Sequence, residues 1–188
     1  MAGIGLTNIW FGKLTEAQDG TPSYSDGQKM GKAVSAQVSI TNNSAMLYGD
    51  DALAESDTSF ANGTITLGVT DDDDTVFAPL LGHTIDDGEV VKTSSDTAPY
   101  VGVGRILTKM VNGVRKYKVN FLYKVKFSEP SNDESTKGET VEFSTPSVEG
   151  IVSTLSDSKG TWGISKTFSD IDDAISYLKG LLGIVESH

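Results

Sequence analysis

Few side chains in this sequence are suited to acid–base, nucleophilic or metal chemistry. There are two histidines, His83 and His188, and no cysteine. Thiolate nucleophiles, cysteine zinc sites and disulfides are excluded, and one internal imidazole does not support a histidine zinc site or a histidine-based triad. The carboxylates Asp71, Asp72, Asp73 and Asp74 could attract a divalent cation, but the run lacks the alternating ligands and distal glutamate of a calcium loop. Ahead of Val76, Phe77, Leu80 and Leu81 it reads as the charged start of a helix, where free amides and the helix dipole favour anions. Asp50 and Asp51 read as turn residues. Gly102-Val103-Gly104 lies in a strand pattern and runs into Arg105-Ile106-Leu107, so it fits close sheet packing and not a phosphate loop. Glu142 and Glu149 are separated by a break at Pro146 and do not make a hydrolytic carboxylate pair. These residue types predict a non-enzymatic protein without metal or cofactor.

The elements that position these residues are mostly strands. Residues 6–14 are apolar and aromatic, and residues 15–32 are polar and glycine-rich, a long loop or loose hairpin. From 33 to 40, Val34, Ala36, Val38 and Ile40 alternate with Ser35, Gln37 and Ser39, the pattern of a half-buried strand. A second such strand covers 63–69, with Ile65, Leu67 and Val69 inward. The 22 residues between them, 41–62, carry Met46, Leu47, Tyr48 and Leu53, which a solvated loop does not need. They are expected to form an extended arm packed on a neighbour. The helix after Asp74 is shortened or kinked by Pro79 and stopped by Gly82. Asn112-Gly113 predicts a tight hairpin between strands 100–110 and 114–127. The second of these places Tyr117, Val119, Phe121, Tyr123, Val125 and Phe127 on one face, Lys116, Lys118, Asn120, Lys124 and Lys126 on the other, with Leu122 the exception. At ~3.3 Å per residue it would reach about 45 Å. Further strands are expected at 139–145, 147–155 and 162–166. An amphipathic helix follows from about Asp170, capped by Ser169 with Asp172 three residues on, striped by Ile171, Ile175, Leu178 and Leu182, and ended by Gly183.

The chain has 188 residues, enough for one substantial domain. The expected division is a mainly β domain over 1–168 and a C-terminal helix over 169–188. No run approaches the ~18 apolar residues that cross a bilayer, and the first residues lack a basic, apolar leader pattern, so synthesis in a cytoplasm is expected. The absence of cysteine fits a reducing compartment. The net charge of −11 argues against tight DNA binding. Arg105, Lys109, Arg115, Lys116, Lys118, Lys124 and Lys126 lie in a stretch, 105–126, that has no acid. The remainder sets eight bases against 26 acids, a formal −18. A basic ribbon in an acidic protein suits contact between copies of one chain.

Several segments, taken in order, are similar to a known family. They are Gly5-Leu6-Thr7-Asn8-Ile9-Trp10, residues 32–38, Leu47-Tyr48-Gly49-Asp50-Asp51 with Ala54-Glu55, Gly63-Thr64-Ile65-Thr66-Leu67 and Leu80-Leu81-Gly82-His83. Then come Asp96-Thr97-Ala98-Pro99-Tyr100-Val101-Gly102-Val103-Gly104, Phe121-Leu122-Tyr123-Lys124-Val125-Lys126-Phe127, Glu142-Phe143-Ser144-Thr145-Pro146 and Gly160-Thr161-Trp162. Over residues 5–165 the chain resembles the major tail tube protein of long-tailed, non-contractile bacteriophages; the terminal helix departs from the shorter members.

The resemblance implies a small β-sandwich or barrel of the tail-tube type flanked by a short helix, to which the residue pattern adds the long extended arm and the C-terminal helix. Six copies would form a ring, and rings would stack around the tape measure protein, between tail terminator and distal tail proteins, and later conduct DNA without binding it specifically. It implies a virion tail location after assembly in the host cytoplasm, with no membrane partner. The polar strand faces expected to line the lumen are Ser35, Gln37, Ser39, Thr64, Thr66, Glu142, Ser144 and Glu149. Inter-subunit contacts are expected from Met46, Leu47, Tyr48, Asp50, Asp51, Leu53, Lys116, Lys118, Lys124 and Lys126. Two alternatives stay open: the inner tube of a contractile injection or secretion system, and a carbohydrate-binding β-sandwich using Trp10 and Trp162.

Overall fold

Apolar–polar alternation is realised as antiparallel pairing. The computed structural model describes residues 2–31, 33–49, 52–69, 74–130 and 147–184. Its elements are β1 (Ala2–Glu16), β2 (Pro22–Lys29), β3 (Ala33–Gly49), β4 (Ala52–Val69), α1 (Asp74–Leu81), β5 (Thr84–Asp86), β6 (Glu89–Val91), β7 (Tyr100–Val111), β8 (Val114–Ser128), β9 (Ser147–Ser153), β10 (Gly163–Phe168) and α2 (Ile171–Leu181). The protein is mainly β, as its sequence predicts. The strand expected at 139–145 and the acidic run Asp71–Asp73 fall outside the described residues.

The main sheet runs β2-β1-β7-β8-β9-β4-β3, and β10 pairs with β8 off this path. Strand β8 divides its second edge: residues 117–122 pair with β10 and residues 124–128 with β9. At the fork the Tyr123 N–H donates to the Trp162 carbonyl at 3.1 Å. The sheet curls, because Ile9 and Phe11 of β1 share one core with Ile65 and Leu67 of β4 and Val148 and Val152 of β9. Helix α1 plugs this core with Phe77, Leu80 and Leu81. Its end is set by Gly82 (φ +80), whose N–H donates to Ala78 O at 2.9 Å; a side chain there would strike the Thr97 backbone.

A second core lies on the opposite face of β7 and β8. There Ile106, Val119 and Phe121 meet Ala174, Leu178 and Leu182 of α2. The C-terminal helix therefore docks on its own sheet. Its N-cap is Asp170, whose carboxylate accepts the Asp172 N–H at 2.8 Å, one residue beyond the expected Ser169. Ser169 instead accepts a bond from Lys116 Nζ at 2.7 Å.

Strand pairing refines the sequence reading in further places. The single-faced pattern of β8 is split, with Tyr117, Val119, Phe121 and Tyr123 toward α2 and Leu122, Val125 and Phe127 in the inner core. The register explains this: Val101 and Val103 lie opposite Val125 and Leu122, so β8 carries one extra residue there and its side chains change face. Of the two readings of residues 15–32, the hairpin is the one formed: strand β2 pairs to β1 from Trp10↔Lys29 to Glu16↔Pro22. The extended arm expected at 41–62 is built of two strands. They are the outer part of a hairpin, paired from Thr41↔Asn62 to Gly49↔Ala52. The short β5–β6 hairpin was also missed, although its turn, Asp87-Gly88 with φ 47 and 85, is a standard two-residue signal.

Candidate functional site

The site-bearing surfaces follow from register. On the outside of β3, β4 and β9, Ser35 stands across from Gly68 and then Ser147, Gln37 from Thr66 and Glu149, and Ser39 from Thr64 and Ile151. Six of the eight residues expected on a polar face, Ser35, Gln37, Ser39, Thr64, Thr66 and Glu149, thus share one surface; Glu142 and Ser144 lie outside the described residues. Five of the six are exposed and Thr66 is half-buried. The row continues from Ile151 to Lys126 of β8 and Tyr100 of β7. Tyr100 is 42% exposed and Ile151 55% exposed, and the Lys124 and Lys126 ammonium groups lie 4.9 and 5.5 Å from the Tyr100 ring centre. This apolar, cationic end of the face was not read from the sequence, because it is assembled from three strands.

The hairpin residues 41–62 run past the rest of the sheet. Strand β9 covers β4 only from Gly63↔Val152 to Gly68↔Ser147. Beyond that, nine residues of β3 and eleven of β4 make a two-stranded ribbon about 30 Å long at ~3.3 Å per residue. Among the described residues it has no third strand. Met46, Leu47, Tyr48 and Leu53 lie on its backbone, and Asp50 and Asp51 fall outside the described residues. At the base of the ribbon Phe60 stacks on Trp162, centroids 5.1 Å apart and planes 9° from parallel. Trp10 packs against the α2 core beneath Lys179. Both tryptophans thus pack within the chain, and both are half-buried.

The four lysines expected at subunit contacts separate into distinct settings. Lys116 and Lys118 are half-buried on the β7–β8 hairpin, and Lys126 is exposed on the polar face. Lys124 is committed inside the chain: its Nζ bonds Glu16 at 2.7 Å, and both side chains are mostly buried. The Lys124 ammonium, and then the Ser156 N–H, hold the Glu16 carboxyl below its ordinary range. Lys124 thus ties β8 to β1.

His83 forms a titratable cluster that the sequence did not indicate, because its partners are 13 and 46 residues away. Its ring, 5% exposed, lies between Asp96 Oδ2 at 2.6 Å from Nδ1 and Glu129 Oε1 at 2.5 Å from Nε2. Two carboxylates require two N–H donors, so the imidazolium is the form that fits. The Asp96 bond, more than Glu129, raises the His83 pKa against burial. The Thr93 hydroxyl and N–H, then His83, bring Asp96 down to about 2. Lys13 and Asp26 line the same cleft. No acceptor for a nucleophile's proton is left free on this ring, so the cluster is a clasp joining the end of α1, the loop before β7 and the end of β8.

The clasp predicts a pH dependence. A raised histidine pKa contributes stability fully below the unfolded value near 6.5 and loses it as pH rises through the folded value. A depressed Asp96 contributes above 3.8 and loses it as pH falls toward 2. Stability from the clasp should therefore be greatest between about pH 4 and 6.5. In urea titrations the wild type should be weaker at pH 8.5 than at 5.5, with a slope of at most about 1.4 kcal/mol per pH unit for one proton. His83→Gln should flatten that difference, and an identical pH profile in the two proteins would contradict the clasp.

Among the described residues no group of three or more histidine, cysteine or acidic side chains is placed to hold a metal ion. No described helix is long and apolar enough to cross a membrane. No protein-family model matches the chain, and no curated protein matches it.

Proposed function

We propose that this protein is a structural virion subunit that assembles with copies of itself into stacked six-membered rings, forming a phage tail tube that encloses a tape measure protein and conducts DNA. The observation that carries the reading is the ribbon at 41–62. A two-stranded β-ribbon is marginal in water, and its unpaired edges are templates for another chain. Built on a fixed base, it is best explained as a strand pair completed by a neighbour. A heterologous contact of that kind closes into rings or extends into a tube.

The polar face of β3, β4 and β9 supports the second half of the reading. Hydroxyls, an amide and a carboxylate give a wettable surface with no cation on these three strands to hold phosphate. Six chains at −11 each carry a formal −66, which keeps a polyanion mobile. Glu16, Lys124 and α2 are committed within the chain, whereas the ribbon edges and the polar face have no such partner among the described residues.

Negative-stain microscopy across a concentration series tests this directly. Tubes of uniform diameter built from repeating rings are expected at high protein concentration. A single monodisperse monomer at every concentration and salt would overturn the proposal.

A further inference from the structure

We infer that the inner face of the β7–β8 hairpin, around Arg105, Lys109, Lys116 and Lys118, receives the acidic ribbon 41–62 of a second copy. This rests on the assembly reading and names the surface of the neighbour that meets the ribbon's acids.

Register places Arg105 across from Asn120, Leu107 from Lys118 and Lys109 from Lys116, all on the side opposite α2. The flanking strands add Gly3 beside Lys109, and Ser165 and Thr167 beside Asn120 and Lys118. No acidic residue occurs in 2–15, 105–126 or 163–168. Four cations thus share a face whose strands provide no counter-charge. Lys109 and Lys116 are directly opposed, an arrangement that repels unless an anion lies between them.

Arg105 gives an independent sign of a missing partner. It is half-buried, and its Nη1 is shut off from solvent without a hydrogen-bond partner. Burial alone pushes its pKa down, with no carboxylate acting against it. A half-buried guanidinium without a counter-charge is costly, and a carboxylate brought up by a second copy would offset that cost.

The ribbon has the matching chemistry. Residues 41–62 hold Asp50, Asp51, Glu55 and Asp57 and no base. A segment with four acids and no base would thus meet four bases on a strand pair with no acids. Charge complementarity of this kind fixes register and rejects wrong partners.

A charge-swap experiment with full-length protein tests the contact. One variant carries Lys109→Glu and Lys118→Glu, the other Glu55→Lys and Asp57→Lys. Each alone should keep its circular dichroism and melting temperature while its assembly threshold rises by roughly tenfold or more. The equimolar mixture should return to within about twofold of wild type, since every contact is again between opposite charges. Single variants that assemble like wild type, or a mixture no better than its components, would overturn the inference. Sedimentation separates this from the tube reading: finite oligomers of wild type, lost in each variant and regained on mixing, keep the contact and discard the tube. A wild type showing no self-association in sedimentation overturns both.

Discussion

Replacing residues 44–58 by Asn-Gly is expected to leave a folded subunit that no longer forms tubes. The cut falls between Asn43 and Ser59, a paired position, and Asn-Gly suits a two-residue hairpin turn. The core residues Ile65 and Leu67, the β4–β9 ladder and the Phe60–Trp162 stack all lie outside the excision. Far-UV circular dichroism and melting temperature should therefore change little. Assembly should suffer far more, because the removed segment carries the unpaired edges and all four ribbon acids. A rise of at least about tenfold in critical concentration, equivalent to about 1.4 kcal/mol per subunit, is the minimum expected; complete loss of tubes is the expected outcome. Tubes of normal length from the shortened protein would show that the ribbon is not an assembly element.

The second large effect concerns the C-terminal helix. Leu178→Ala should destabilise the dilute, unassembled protein by about 2–5 kcal/mol, a substantial part of the 5–15 kcal/mol typical of a domain. Leu178 is fully buried among Ile106, Val119 and Phe121. It reaches the sheet because Gly104 lies beneath it, where any side chain would collide with its Cδ1. Gly104→Ala should accordingly destabilise the wild type by overpacking, yet be tolerated better in the Leu178→Ala background. Urea unfolding at concentrations far below assembly reads both effects. A loss under about 1 kcal/mol in the monomer would mean that α2 is not held by its own sheet.

How far the sequence leads can be followed in particular elements. Period-two alternation at Ser35–Gln37–Ser39 and at Thr64–Thr66 identified two strands and their outward polar faces, because burial on one side leaves a direct trace in residue type. Asn112-Gly113 located the long hairpin, since few residues tolerate the positive φ values (51 and 77) found there. The stripe Leu178–Leu182 and the stop at Gly183 marked the last helix. Each of these signals is local.

What failed depended on partners distant in the chain. Beta8 looked single-faced until its pairing with β7 introduced an extra residue and turned Val125 and Phe127 to the inner core. Lys124 looked like a surface cation until the curl of the sheet brought Glu16 beside it. His83 looked idle until Asp96 and Glu129 closed on it, and Arg105 was one base among seven until burial left its Nη1 without a partner. Amino-acid order alone determined the strand-rich composition, the turns, the helix stops and the segregation of charge, because each is set by the preferences of neighbouring residues. Only the tertiary structure decided which faces meet, which charges are already satisfied and which remain open, because those depend on register and on the distance between groups far apart in the chain.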